Sequence, residues 1–194
     1  MKKLNIVFII FLSSIIVHAK TDKNPLVLIK TEMGNIEVEI YQNKAPISAG
    51  NFLNCVDDGV YKDSYFYRTV TPNNQPDDDI KIEVIQGGLL DKADDYPPIK
   101  HETTKKTGIL HKDGTISYAR NEPGTATTEF FICIGNQPEL DYGGKRNPDR
   151  QGFAAFGRVV KGMDIVRKIH KQPAEKQMLK PKIRIFNIER LKQG

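Results

Sequence analysis

An alternation of apolar and polar residues is the first clear pattern in the middle of the chain. Residues 26–31 are rich in branched apolar side chains, and residues 33–35 have the composition of a turn. Apolar and acidic residues then alternate in the order Ile36, Glu37, Val38, Glu39 and Ile40. A period of two residues puts the apolar side chains of a strand on one face. The pattern predicts a β-hairpin with one face in contact with water.

The period changes to that of a helix at residues 46–57. Apolar side chains there follow the i, i+3, i+4, i+7 spacing, at Ala49, Phe52, Leu53 and Val56. Pro46 suits a first helical turn, and Gly59 suits the stop that follows the last turn. This segment is predicted to be an amphipathic α-helix.

Strand-like segments dominate the rest of the chain. They are residues 65–70, 82–86, 115–120, 127–134, 154–160 and 183–188. Residues 164–170 are typical of a second short helix, and two long loops are expected at residues 71–81, which are acidic, and 90–111. Many short strands with two helices, without βαβ alternation or an internal repeat, predict a mainly β fold. We expect a closed antiparallel β-barrel capped by the two α-helices.

The N-terminal residues differ from everything that follows. Two lysines precede an apolar run at residues 4–17, and small residues suited to cleavage end at Ala19. The run is short for a bilayer span, and no cysteine follows it to carry a lipid, so we favour export with cleavage over a retained anchor. The prediction is a signal peptide at residues 1–19 and one domain at residues 20–194, with no stable membrane insertion after cleavage.

Composition adds few constraints to this interpretation. A chain of 194 residues with 39% apolar and 27% charged residues is typical of one globular domain. A formal net charge of +5, which includes both lysines of the signal peptide, is too small to indicate a nucleic-acid surface. Cys55 and Cys133 could form a disulfide in an oxidising compartment, but each lies in an apolar stretch. We favour two separate buried thiols.

Two enzyme classes are disfavoured by the spacing of reactive residues. Apart from His18 in the predicted signal peptide, the histidines are His101, His111 and His170, and none forms a close ligand pair with another histidine or a cysteine. No nucleophile-elbow pattern accompanies a serine or cysteine. We therefore expect no metal, no cofactor and no covalent hydrolase chemistry.

Six blocks, in order along the chain, resemble the cyclophilin family of peptidyl-prolyl cis-trans isomerases. They are Phe66-Tyr67-Arg68, Ile85-Gln86-Gly87-Gly88, Gly114-Thr115-Ile116-Ser117, Glu129-Phe130-Phe131-Ile132, Leu140-Asp141, and Phe156-Gly157-Arg158-Val159 leading to Gly162-Met163. The resemblance implies an eight-stranded antiparallel barrel with a helix over each end and a peptide groove outside the sheet. It also implies a monomeric, bacterial periplasmic isomerase that binds proline-containing segments of folding exported proteins.

The resemblance makes Arg68 the catalytic arginine and gives Gln86 the role of binding substrate and steadying Arg68. An X–Pro amide faces a barrier of about 18–20 kcal/mol that arises from resonance, so weakening that resonance is sufficient. A guanidinium that hydrogen-bonds the prolyl nitrogen stabilises the twisted state more than the planar one. The alternative interpretation, which the residue would have outside this motif, is an exposed strand arginine whose guanidinium is solvated.

The remaining groove positions also follow from the resemblance. Phe131 and Leu140 match the apolar floor and wall of the proline pocket, and Ala119 and Arg120 match positions whose backbone binds the residue before proline. The other substrate-binding positions are Phe66, Tyr67, Val84 and Phe153. A second cation at Arg120 would favour acidic substrates.

The alternation of side chains along strands agrees with these groove assignments. It places three sets of residues each on one face of a strand: Phe66, Arg68 and Val70; Val84 and Gln86; and Glu129, Phe131 and Cys133.

Several features depart from the family pattern. The connection at residues 71–81 is longer than in the family and is therefore an insertion. Tyr67 replaces a histidine, Glu83 stands where an aromatic wall residue is usual, and Glu129 replaces a groove glutamine. The Glu129 carboxylate could pair with Arg68 and hold it away from the prolyl nitrogen, or it could preorganise the guanidinium and act as a catalytic residue. The alternative function is a non-catalytic prolyl-peptide-binding chaperone or assembly module on the same fold.

Overall fold

The computed structural model describes residues 23–192, so the predicted signal peptide at residues 1–19 lies outside the described part. The strands are β1 (Leu26–Thr31), β2 (Gly34–Ile40), β3 (Ser64–Val70), β4 (Val84–Gly88), β5 (Thr115–Tyr118), β6 (Phe130–Cys133), β7 (Ala154–Lys161), β8 (Ala174–Glu175) and β9 (Met178–Arg190). The helices are α1 (Pro46–Asp57), α2 (Thr104–Thr107) and α3 (Met163–His170). Short 3-10 turns occupy Pro72–Asn74, Leu90–Asp95 and Pro138–Leu140.

The strands form one closed antiparallel sheet. Its order is β1-β2-β7-β5-β6-β4-β3-β9-β8, and β1 also pairs with β9. Eight strands thus complete the barrel, while the two-residue β8 pairs only with the start of β9. Closure satisfies the backbone groups that an open sheet would leave at its edges. The predicted eight-stranded antiparallel barrel is confirmed.

Local periodicity identified the first elements well. β1 and β2 form the predicted hairpin, and buried positions alternate along both strands. α1 has the predicted bounds and buries the predicted apolar face, where Phe52 contacts Phe130 and Phe156 at ring-centroid distances of 5.7 and 5.0 Å. α2 was missed because its sequence, TKKT, has no apolar period to reveal a single helical turn.

Within the described residues, no helix has the length and apolarity needed to cross a membrane.

Within residues 23–192, two apolar clusters form the core. The larger one fills the barrel and includes Cys55. The smaller one lies on the other side of the sheet and consists of Val70, Ile82, Val84, Phe131, Cys133 and Leu140. Cys55 and Cys133 are both buried free thiols in different clusters, as predicted. The smaller cluster becomes the wall of the candidate site.

A buried carboxylate joins the long 90–111 segment to α1. Glu102 has no exposed surface, and its Oε2 accepts hydrogen bonds from the Ser48 backbone N–H at 2.7 Å and the Ser48 hydroxyl at 2.9 Å. Ala45, which precedes the helix, provides no side-chain cap. The negative charge therefore caps the positive end of α1 from a distant part of the chain.

Substitution of Glu102 by alanine should lower the free energy of unfolding by about 2–3 kcal/mol, because two buried donors on Ser48 lose their acceptor. Glu102→Gln should cost less, since an amide oxygen still accepts from Ser48. The exposed Lys106→Ala, whose ammonium lies 4.0 Å from the carboxylate, serves as control and should change stability by at most about 0.5 kcal/mol. Urea denaturation measures all three, and a neutral Glu102→Ala would contradict the capping role.

Candidate active site

A groove of about 320 Å³ lies on the outer surface of the barrel. Nine of the eleven predicted site residues line it: Arg68, Val84, Gln86, Ala119, Arg120, Glu129, Phe131, Leu140 and Phe153. Further lining residues come from the loops that surround these strands: Ile82, Ala93, Asp94, Asn121, Thr125, Thr127, Arg146 and Asn147. β3, β4 and β6 are adjacent in the sheet, which brings Arg68, Gln86 and Phe131 together.

An irregularity in β3 decides which residues reach the groove. Phe66 pairs with Gly87 and Arg68 pairs with Gln86, so Tyr67 is one extra residue in the ladder. Such a bulge breaks the alternation of faces. Phe66 therefore lies fully buried in the barrel, against Phe130, while Arg68 lies on the outside. The prediction that Phe66 shares a face with Arg68 is wrong for this reason, and the Phe66 side chain, predicted to bind substrate, does not line the groove.

Regular alternation holds in the two neighbouring strands. Val84 and Gln86 face the groove, whereas Ile85 between them is buried in the barrel. Phe131 and Cys133 lie in the outer cluster and Phe130 in the barrel. The predicted faces of β4 and β6 are therefore correct.

Two glutamine side chains hold the Arg68 guanidinium. Its Nη1 donates to Gln86 Oε1 at 2.8 Å, and its Nε and Nη2 donate to Gln177 Oε1 at 2.9 and 2.5 Å. Burial lowers the pKa of Arg68 from its ordinary value, but an arginine remains charged at neutral pH. The site therefore contains a partly buried cation whose described hydrogen-bond acceptors are neutral amide oxygens.

A chain of hydrogen bonds connects Arg68 indirectly to Glu129. Gln86 Nε2 donates to the Tyr67 hydroxyl at 2.6 Å, and that hydroxyl donates to Glu129 Oε2. The other carboxylate oxygen of Glu129 accepts from the backbone N–H groups of Leu89 at 2.6 Å and Leu90 at 3.0 Å. Among the described residues, Glu129 makes no ion pair with Arg68. Direct capture of the guanidinium by Glu129 is thus not the arrangement found.

The protonation of this chain follows from its burial. Burial raises the pKa of Glu129 above its ordinary value of 4.5, although the bonds from Tyr67, Leu89 and Leu90 lower it in part. Burial and the neighbouring Glu129 raise the pKa of Tyr67. The phenol therefore keeps its proton and donates a hydrogen bond to the carboxylate. Tyr67, which was predicted to bind substrate, does not line the groove, and its hydroxyl joins Gln86 to Glu129.

An apolar pocket lies beside the guanidinium. Phe131 forms its floor and contacts the ring of Phe153 at 5.3 Å in a perpendicular arrangement. Val84, Leu140 and Ile82 complete the wall. Glu83 was expected at the wall, but its carboxylate lies 4.0 Å from His170 Nε2, away from the groove lining. The sequence analysis did not identify Ile82 as a wall residue. Ile82 and Val84 are two positions apart, so an extended chain places both on the same face.

His111 supports the floor of the pocket from behind. Its ring stacks on Phe131 with centroids 5.9 Å apart. Its Nδ1 lies 2.7 Å from Asp141 Oδ1, and its Nε2 lies 3.0 Å from the Ser117 hydroxyl. This Ser-His-Asp arrangement resembles a hydrolytic triad, but Ser117 is fully buried and cannot reach a substrate. Its geometry is that of a structural support.

Arg120 forms part of the groove rim. Its guanidinium donates to both carboxylate oxygens of Asp149 at 2.7 and 2.9 Å and to the Gly152 carbonyl, and it lies over the Phe153 ring. The side chain is only 1% exposed. The same pairing lowers the pKa of Asp149. The expectation that Arg120 attracts acidic substrates is therefore not supported, because its charge is already paired.

Two polar residues of the site gave no signal in the sequence. Arg146 lines the groove, and its guanidinium donates to the Ile80 carbonyl at 2.6 Å and pairs with Asp78 at 3.0 Å. Gln177 reaches Arg68 from a position 109 residues further along the chain. Neither lies in a block that resembles the family, and only the tertiary structure brings them to the site. The described residues contain no cluster of three side chains suited to a metal ion.

Comparisons with known proteins agree with this geometry. The family model "Cyclophilin type peptidyl-prolyl cis-trans isomerase/CLD" matches residues 26–190. The chain is 37% identical to a peptidyl-prolyl cis-trans isomerase of Acinetobacter baylyi, covering 84% of this chain and 81% of the relative. It is 36% identical to peptidyl-prolyl cis-trans isomerase A of Dickeya dadantii, covering 77% and 73%.

Solved structures share the fold. A cyclophilin-type peptidyl-prolyl cis-trans isomerase of Cryptosporidium parvum matches with a TM-score of 0.71 at 19% identity, covering 88% of this chain and 99% of that one. A second structure, determined in the presence of the dipeptide Ala-Pro, matches with a TM-score of 0.69 at 20% identity. At these identities the likeness establishes the barrel alone.

Glu129→Gln should change the pH dependence of stability. Folding raises the Glu129 pKa, so protonation of Glu129 stabilises the folded state. This contribution to the free energy of unfolding is fully present below the ordinary pKa of 4.5 and is lost as pH rises through the raised pKa. The unfolding free energy of the native protein should therefore fall relative to that of Glu129→Gln across this window. Denaturant titrations between roughly pH 4 and pH 7 measure the difference.

Glu122→Gln, at an exposed position of a neighbouring loop, is the matched control and should follow the native curve. A constant difference between Glu129→Gln and the native protein at every pH would contradict the raised pKa.

Proposed function

Because the chain belongs to the cyclophilin-type peptidyl-prolyl cis-trans isomerase family, we propose that Arg68 catalyses X–Pro isomerisation in proteins exported to the bacterial periplasm. Peptidyl-prolyl isomerase activity itself follows from the family match over residues 26–190 and from relatives that carry this name. The proposal concerns the catalytic residue and the clients. Its main support is the position of the Arg68 guanidinium beside an apolar pocket.

The pocket and the cation supply different parts of the reaction. A proline ring enters the pocket formed by Phe131, Val84 and Leu140, which fixes the prolyl side of the X–Pro bond. The chain on the other side of the X–Pro bond then rotates. As the amide twists, the lone pair on the prolyl nitrogen is no longer delocalised into the carbonyl and becomes a hydrogen-bond acceptor. Arg68 donates to it, and this bond forms only in the twisted state.

Arg68 retains donors for this step. A guanidinium has five N–H groups, and the bonds to Gln86 and Gln177 account for three of them. Neutral amide oxygens hold the side chain in place without the strong pairing of a carboxylate. The positive charge therefore remains available to the prolyl nitrogen.

Glu129 contributes through preorganisation in this proposal. The donors in the chain point in one direction, from Arg68 to Gln86, then to Tyr67, and finally to Glu129. The fixed carboxylate orients the Tyr67 hydroxyl, which orients the Gln86 amide with its oxygen toward Arg68. Glu129 thus acts at a distance, as a positioning residue, and does not capture the guanidinium.

A second candidate function is a non-catalytic prolyl-peptide-binding chaperone or assembly module. One observation favours it: Gln177 holds two nitrogens of Arg68 at short distances and could restrain the guanidinium from following the prolyl nitrogen. Both functions use the same groove. They differ only in whether the rate of isomerisation depends on Arg68.

Arg68→Ala should lower kcat/KM for isomerisation of a short prolyl peptide by about 10²-fold, the usual loss for one preorganised donor. Arg184→Ala, which removes an exposed arginine of β9, is the matched control and should leave the rate unchanged. An isomerisation assay on that peptide measures the rate, and calorimetry measures peptide binding. Equal rates with native protein, with Arg68→Ala and without protein, together with intact binding, would establish the binding module instead.

Export to the periplasm rests on the sequence of residues 1–19, with its two lysines, apolar run and small residues ending at Ala19. After expression of the full chain in a Gram-negative host, the periplasmic fraction should contain protein that begins at Lys20, as read by mass spectrometry. Ile9→Arg, which interrupts the apolar run, should leave the precursor in the cytoplasm. A native chain that retains Met1 and stays in the cytoplasm would refute export.

A further inference from the structure

We infer that Gln177 is a positioning residue for Arg68 and that the insertion at residues 71–81 holds Gln177 in place. This inference rests on the proposed catalytic role of Arg68. Gln177 lies in the turn between β8 and β9, at the opposite side of the guanidinium from Gln86. The two glutamines therefore hold Arg68 from its two edges.

The orientation of the Gln177 amide is determined by its neighbours. Its Oε1 accepts from Arg68 Nε and Nη2, and its Nε2 donates to the Asn74 carbonyl at 3.1 Å. Arginine has no acceptor and a carbonyl has no donor, so a flipped amide would lose these bonds. The Gln177 backbone is also fixed, because its carbonyl accepts from the Thr69 N–H at 2.9 Å.

Asn74 is itself tied to β3. Its Oδ1 accepts from the Thr71 N–H at 2.8 Å, and its Nδ2 donates to the Thr69 carbonyl at 3.0 Å. These bonds set the position of the Asn74 carbonyl that receives Gln177. The start of the insertion, the β8–β9 turn and the end of β3 thus form one hydrogen-bonded unit behind Arg68. Through Asn74, the insertion therefore helps to position Gln177 beside Arg68.

A neutral amide at position 177 suits this task better than a carboxylate. Gln177 fixes the Nε edge of Arg68 through an uncharged oxygen. A glutamate would form a charge-assisted pair with the same nitrogens and would compete with the prolyl nitrogen for the positive charge. The structure therefore predicts that Gln177→Glu keeps Arg68 in place but lowers catalysis, and that Gln177→Ala lowers catalysis by releasing Arg68.

The test compares these variants in the proline-limited isomerisation assay. Gln177→Ala should reduce kcat about tenfold with little change in KM, because the pocket that binds proline is untouched. Gln177→Glu should also reduce kcat with little change in KM, because its carboxylate pairs with Arg68, although it loses the bond to the Asn74 carbonyl. A purely structural role would not give this split between kcat and KM. Gln172→Ala is the matched control, because the described bond of its amide is to the Lys168 carbonyl at the end of α3.

Coupling to Arg68 decides the interpretation. In an Arg68→Ala background, Gln177→Ala should have no further effect on the rate. Asn74→Ala should reproduce part of the Gln177→Ala loss if the insertion holds the amide. An unchanged rate in Gln177→Ala beside a reduced rate in Arg68→Ala overturns the positioning role alone. Unchanged rates in both variants overturn the proposed catalytic role and the positioning role with it.

Discussion

The bulge at Tyr67 is the constraint on which the groove depends. β3 must contribute Phe66 to the barrel interior and Arg68 to the outer surface, although these residues are two positions apart and would share one face in a regular strand. One extra residue in the ladder resolves the conflict. It also sends the Tyr67 hydroxyl to the outer side, where it joins Gln86 to Glu129. The position of the Arg68 cation and its support thus arise from one local irregularity.

The charges of the site are separated by neutral groups. Arg68 is bound by two amide oxygens, and Glu129 by a phenol and two backbone N–H groups. A direct pair would satisfy both ions, but it would also neutralise the charge that the proposed mechanism uses to stabilise the twisted amide. Because Gln86 and Tyr67 lie between them, the carboxylate orders the chain while the guanidinium stays available. The replacement of an uncharged residue by Glu129 is therefore compatible with catalysis.

The apolar half of the groove is supported from outside the barrel. The cluster around Phe131 has the sheet on one side, and His111 with its partners Asp141 and Ser117 lies behind the ring. Arg120 adds rigidity at the rim through Asp149 and Gly152. These polar side chains have their hydrogen bonds satisfied within the protein, which allows them to lie next to an apolar pocket at low cost.

The sequence by itself determined the features that depend on neighbouring residues. Periodicity predicted α1, the β1–β2 hairpin and the faces of β4 and β6. The family resemblance predicted the barrel and nine of the groove residues, five of which lie in the ordered blocks. Tertiary structure alone decided the bulge at Tyr67, the cap that Glu102 gives to α1, and the contact of Gln177 with Arg68. Side-chain spacing along a segment encodes which face is apolar. Strand register and contacts across 54 or 109 residues arise only when the barrel closes, so no local pattern records them.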